Sequence, residues 1–345
     1  RTYPDRMRAA HRFLLLPDYF TWQMTGRPVT DPHTAGSTGF SLGGLDYHPA
    51  ALAAAAIQKE QLAEIQPPGT VAGRLLSETA KEWGLPPDIP VIVGTNDQYA
   101  GALGAGVAEE GILAVATGTC LAAVTLKKGK VPPLPTGLFE GTFPIPGYSF
   151  VLAYTKTAGV ALEWFRREFA PALSLAELDQ EASQIPPGSH GILVCPHFDG
   201  KVSPSPIPEQ RGVFAGLTLH HRRADLYRAL LESLAYCLRE NIAVLTSIGL
   251  PIRAIHSHGG GAASDFWLQM QADVTQFSVH RGRVTEAATL GAAMLAATGA
   301  GFFPGLKEAV QRMYRTARVF SPSLQTQTAY RQGFDRYLRL SNQSL

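Results

Sequence analysis

The chain has 345 residues, 45% hydrophobic and 17% charged, with a formal net charge of +2. That length exceeds what one hydrophobic core sustains, so two domains are expected, with ample core material for an ordinary soluble protein. Near-neutrality excludes a large field for nucleic acid or a membrane surface, and neither is expected as a partner.

No apolar run reaches the length of a membrane span, and no signal peptide is visible. Cys120, Cys195 and Cys237 are widely spaced and odd in number, which points to reduced thiols in a cytoplasmic protein rather than to disulfides or zinc. In chain order, residues 5–26 read as two short helices interrupted at Pro17, the second closing on Gly26. Residues 27–70 are turn-rich around one further helix over 48–65. KEWGLPPDIPVIVGTND, 81–97, reads as helix end, proline-rich turn and strand, the mark of an α/β unit.

From 111 the pattern turns to strands: GILAVATGT, LAAVTLKKG, then SFVLAYT from 149. A helix over 158–170 follows, with Leu162, Phe165 and Phe169 spaced for one face. LAELDQEASQI reads as a helix and GILVCPHF as a strand. The segment 224–249 is the strongest helix, ending at Gly249. Strand RAIHSHG, loop GGGAAS, helix DFWLQMQADVTQ and a small-residue helix EAATLGAAMLAATGAG come next. The shift near 107–111 sets a boundary, with domains expected over 1–110 and 111–345.

Three constellations could carry chemistry. Thr117-Gly118-Thr119 sits between two apolar strands, so it is a hairpin tip; its hydroxyls and N–H groups suit a phosphate, and the same triplet also serves as a plain turn. Gly259-Gly260-Gly261 joins a strand to a helix starting near Ser264, where backbone and helix dipole can approach an anion, or where the chain merely turns tightly. It is neither a Rossmann fingerprint nor a P-loop. His256 and His258 alternate on one strand without a third ligand at metal-site spacing. Asp97, at the carboxyl end of an apolar strand, is placed either to cap the next helix or to take a proton.

Several stretches, in order, resemble the FGGY family of carbohydrate kinases. VIVGTNDQYAGALGAG resembles the family's strand, catalytic aspartate and helix; GILAVATGTC resembles its phosphate-contacting hairpin. GVFAGLTLHHRRADLYRALLE resembles its second signature, departing at Leu230, and GGGAASDFWLQMQADVTQ with EAATLGAAMLAATGAG resembles its adenosine-binding end. DYFTWQMTGRPVTDPHTAGSTGF resembles the segment before these. The fold implied is α/β, a two-domain actin-like ATPase (ribonuclease H-like) architecture with the first domain incomplete.

The resemblance implies ATP and Mg2+, a small-molecule ketose or polyol as phosphoryl acceptor, and allows a homodimer. Asp97 would deprotonate the substrate hydroxyl and hold magnesium through water, and Gln98 would contact substrate. Thr117, Gly118 and Thr119 would cradle the phosphates, Gly159 would lie close to the nucleotide, Gly260 and Gly261 would pass under the adenosine, and Ser264 would sit near its ribose or base. Gly94-Thr95-Asn96 is bulkier than the family's usual pattern. No Asp-x-Gly-Thr phosphate hairpin precedes these stretches; Arg1 falls just after the family's first signature, with roughly a quarter to a third of the usual length expected ahead of it. The residues in isolation are therefore expected to show little kinase activity. The alternative reading is a non-catalytic nucleotide-binding relative on the same scaffold.

Overall fold

A computed structural model describes residues 9–342. Pro17 opens the first helix instead of interrupting one: α1 spans Leu16–Thr25 with the proline in its first turn, where a missing N–H leaves no bond unmade. Gly26, at φ 72°, ends it as expected. Residues 10–15 are not helical, against the expectation for 5–16, and residues 5–8 lie outside the described part. Next come β1 (Val29–Thr30), α2 (Pro32–Gly36) and α3 (Pro49–Ala55).

The single helix expected over 48–65 is broken. Ala56 closes α3 at φ 53°, a 3-10 turn covers Lys59–Gln61, and β2 (Glu64–Ile65) pairs in parallel with β1. Burial of Leu52 and Ile65 with Tyr47 and Ala35 overrides the helix preference of the alanines. β3 (Val71–Arg74), α4 (Ser77–Trp83) and β4 (Pro90–Ile92) follow, β3 and β4 antiparallel, and α5 (Asp97–Gly104) completes this part.

The remainder is built on β5 (Gly111–Thr117), β6 (Leu121–Lys128), β7 (Leu138–Thr142) and β8 (Tyr148–Thr155). α6 (Gly159–Phe169) and α7 (Leu175–Ser183) lead to a small antiparallel pair, β9 (Leu193–Cys195) with β10 (Val213–Ala215), and to the long α8 (Arg223–Ser247). Then come β11 (Ile252–His258), α9 (Asp265–Thr275), β12 (Ser278–Gly282), α10 (Ala287–Gly299), α11 (Leu306–Met313), β13 (Thr316–Phe320) and α12 (Gln327–Ser341). Seven strands form one sheet in the order β13-β12-β11-β5-β6-β8-β7. β5, β11 and β12 are parallel, and their outer neighbours are antiparallel.

Both faces of this sheet are covered, which explains why β5 reads as a continuous apolar run. Leu113 and Val115 pack with Leu230 and Leu234 of α8, while Ala114, one residue out of phase, packs with Leu103 of α5 and Met294 of α10. On α6, Leu162 and Phe165 are buried, and Phe169, 48% exposed at the helix end, stacks on Phe165 along the expected face.

The small residues of α5 and α10 let the two helices touch backbone to backbone. A Cβ at Gly104 would lie 1.8 Å from the Ala287 carbonyl oxygen, and one at Gly291 would lie 1.9 Å from that of Ala100. No side chain fits in either place.

β11 meets α5 through its histidines. His256 Nδ1 lies 2.6 Å from the Ala105 carbonyl oxygen and its ring stacks on His280 and Tyr314. His258 fills the space over Gly101, where a Cβ would come within 2.8 Å of the imidazole. Burial pushes both rings down to about 4, with His280 adding to the effect on His256. Unfolded, they titrate near 6.5. Between those values the unfolded chain binds more protons, so stability is lost as pH falls through the window. Urea denaturation at pH 7 and pH 5 should differ by roughly 2–4 kcal/mol for the two rings together, and His258→Asn should reduce the difference. Equal stability at both pH values would rule out neutral buried imidazoles here.

Candidate active site

Seven of the nine site residues expected from the sequence line one cavity of about 610 Å³: Thr117, Gly118, Thr119, Gly159, Gly260, Gly261 and Ser264. They come from the β5–β6 tip, the start of α6 and the loop between β11 and α9. The tip is a hairpin, Thr117 pairing with Leu121. Its carbonyls are taken by the first turn of α6: Gly159 N–H donates to the Gly118 oxygen at 2.9 Å, and those of Ala158 and Val160 donate to the Thr119 oxygen at 3.1 and 3.2 Å. This approach needs glycine, since a Cβ at Gly159 would lie 2.2 Å from the Gly118 oxygen.

The glycine loop lies on the tip from the other side. Gly259 takes φ 80°, and a Cβ on Gly261 would come within 2.7 Å of the Thr117 methyl. Thr117 is thereby buried at 1% exposure, and its hydroxyl has no hydrogen-bond partner among the described residues. Gly118 and Thr119 are exposed, and an added Cβ on Gly118 would meet open space. The three tip residues thus differ: all line the cavity, but Thr117 is buried beneath the glycine loop while Gly118 and Thr119 are exposed. Ser264 caps α9, its oxygen accepting from Trp267 N–H at 3.0 Å.

Asp97 lines a second, separate cavity of about 800 Å³ with residues of α1, α2 and α10; Gln98 is not among its lining residues. The cap of α5 is Asn96, whose side chain accepts from Gln98 N–H at 2.9 Å. Asp97 is the first residue of the helix proper and is exposed, with no hydrogen bond or ion pair among the described residues. Its carboxylate is therefore free of the structural duty the sequence left open.

Two acids of this second cavity have no counterpart in the sequence-derived site. Asp18 is 4% exposed; it accepts from Leu15 N–H at 3.0 Å through one oxygen, the other has no partner, and burial pushes its carboxyl up. Asp31 caps α2. Burial alone would raise it, but hydrogen bonds from His33 and Thr34 hold it below the usual carboxylate range. His33 Nδ1 sits 3.0 Å from Asp31 and 2.7 Å from the Thr95 hydroxyl, and its Nε2 is 2.5 Å from the Thr142 carbonyl of β7. Both acids lie in the segment 18–40 that carries the family resemblance, which was the available signal.

A continuous line of contacts joins the two cavities. One helical turn, about 5 Å, separates Asp97 from Gly101; Gly101 touches His258, His258 pairs with Ala116, and Gly259 lies on Thr117. The donors would suit a magnesium ion held by one protein carboxylate through water. Among the described residues no group of three His, Cys, Asp or Glu converges as a protein cage.

Comparison with known proteins agrees with this architecture. The model of the FGGY family of carbohydrate kinases, N-terminal domain, matches residues 1–104, and that of the C-terminal domain matches residues 113–300. The xylulose kinase of Bacillus subtilis is 30% identical over 335 residues, covering 97% of this chain and 67% of that protein. The autoinducer-2 kinase of Klebsiella pneumoniae is 29% identical over 350 residues, covering 97% and 65%. The xylulose kinase of Staphylococcus epidermidis is 30% identical over 287 residues, and the match spans 58% of its length. No match supports the expectation that these residues are inactive by themselves.

Among solved structures, the xylulose kinase of Rhodospirillum rubrum superposes with a TM-score of 0.85 at 29% identity, covering 98% of this chain and 68% of that one. The glycerol kinase of Plasmodium falciparum, solved with ADP, shares the fold at a TM-score of 0.82 and 20% identity, covering 96% of this chain and 67% of that one. The architecture is the actin-like ATPase fold of these kinases. No helix among the described residues is long and apolar enough to cross a membrane. The chain belongs to the FGGY family of carbohydrate kinases.

Proposed function

We propose that the protein transfers the γ-phosphate of ATP to a hydroxyl of a ketose or polyol, with Asp97 as the general base. The observation that carries this reading is the gathering of three distant stretches around one cavity, joined through α5 to an exposed carboxylate with no structural partner. Residues 1–110 would form the substrate-binding side and residues 111–345 the nucleotide-binding side. Gly260 and Gly261 would pass under the adenosine, and Gly118 and Thr119 would hold the terminal phosphates by backbone and hydroxyl groups.

Phosphoryl transfer needs little covalent help, so positioning and charge stabilisation dominate. Magnesium, when bound, supplies charge neutralisation on the phosphates, and Asp97 would hold it through water. A carboxylate is a weak base; it takes the hydroxyl proton late, once bond-making has made that proton acidic. Gln98, on the same first turn, would contact the substrate. Closure of the gap between the two sides would exclude water and suppress hydrolysis of ATP.

An ADP-release assay over a panel of ketoses and polyols tests the proposal. ADP formation that depends on one class of acceptor, and a phosphorylated product in the same molar amount, is the expected result. Nucleotide binding with no acceptor-dependent turnover would leave a non-catalytic relative instead.

A further inference from the structure

The cavity of about 610 Å³ contains an acid that neither the motifs nor the proposed chemistry uses. Asp179 lies on α7 with Leu175 and Ala176, at positions i, i+1 and i+4 of the face turned to the cavity. One of its oxygens accepts from the Ser264 hydroxyl at 2.5 Å, the other from the Tyr227 hydroxyl at 3.2 Å. Both partners are neutral, and burial pushes the Asp179 carboxyl up. The contact also redefines Ser264. Its oxygen accepts from Trp267 N–H while its single proton goes to Asp179, so it has no donor left for a ligand.

Asp179 enters the cavity from α7 and is held by Ser264, three residues on from the Gly261 that packs on Thr117, with no hydrogen bond to the tip among the described residues. A negative charge beside a triphosphate would repel it, whereas beside a nucleoside it accepts from N–H or O–H groups. A carboxylate offers about four lone-pair positions, two of which are used here. Around it, Leu175 and Ala176 of the same helix and Leu231, one turn on from Tyr227, are apolar and suit a ring.

We infer that Asp179, oriented by Ser264 and Tyr227, accepts a hydrogen bond from a donor group of the bound nucleoside and so sets which nucleotide the cavity takes. The donor is either the amino group of the adenine ring or a ribose hydroxyl. This rests on the reading of the cavity as the ATP site.

The test is calorimetric titration of the protein with ATP, with purine riboside triphosphate (no amino group), and with 2′-deoxy-ATP and 3′-deoxy-ATP. Loss of one hydrogen bond to a charged acceptor should weaken one of the three analogues by about tenfold or more, and which one identifies the donor. In Asp179→Asn, ATP should weaken to match that analogue, so that their ratio falls to about one, while affinity for tripolyphosphate stays unchanged. If all three analogues bind the unaltered protein as tightly as ATP does, the inference is overturned whatever the variant does. If ATP does not bind, or binds equally to Gly261→Val, whose added side chain would strike Thr117, the site reading falls and this inference falls with it.

Discussion

Asp97→Asn is expected to lower turnover by on the order of a hundredfold or more while leaving ATP affinity and thermal stability close to those of the unaltered protein. The stability half of this expectation comes from the structure. Asn96 caps α5, and Asp97 is exposed without a hydrogen bond or ion pair among the described residues, so the amide disturbs no internal partner. The kinetic half comes from the proposed role: an amide keeps the shape and cannot accept the proton. Steady-state ADP release, nucleotide titration and a melting curve on the same preparation separate the two. Turnover within a few-fold of normal would remove Asp97 from the chemistry. Lost turnover together with lost stability would make the aspartate a structural residue.

Gly291→Val is expected to be the most damaging substitution to the scaffold, costing about 3 kcal/mol or more or preventing folding. The Cβ would stand 1.9 Å from the Ala100 carbonyl oxygen, and that atom belongs to helix backbone which cannot swing aside as a flexible side chain would. The helices would have to part, opening the layer in which Leu103, Met294 and Leu295 are fully or almost fully buried. Since α5 begins at Asp97, any molecules that do fold should show reduced kcat with KM for ATP little changed, because the glycine loop and tip belong to other elements. Chemical denaturation measures the first effect. A variant as stable as the parent would mean that the helices do not approach as described.

Elements whose information is local were legible from the chain. The β5–β6 hairpin announces itself by two apolar runs around a Thr-Gly-Thr tip, and α8 by a long periodic segment ending before Gly249. Where tertiary packing competes with propensity, local reading failed. The alanine-rich stretch 48–65 reads as helix, yet Ile65 is drawn into a strand beside Thr30. The edge strands β7 and β13 and the helices α11 and α12 drew no expectation; the two strands are five residues each and lie at the ends of the sheet, where alternation is weak.

The site divides in the same way. Residue type and order alone pointed to Asp97, the tip and the glycine loop, since these are short stretches whose chemistry resides in neighbouring residues. Ordered motifs of this kind also carried the family, which needs no coordinates. Folding alone determined that Asn96 and not Asp97 caps α5, that Thr117 is sealed under the glycine loop while Thr119 is open, and that Asp179 meets Ser264 across 85 positions of chain. Those outcomes depend on which distant backbones come within a few ångströms of each other, and a linear pattern of residue types does not encode that distance.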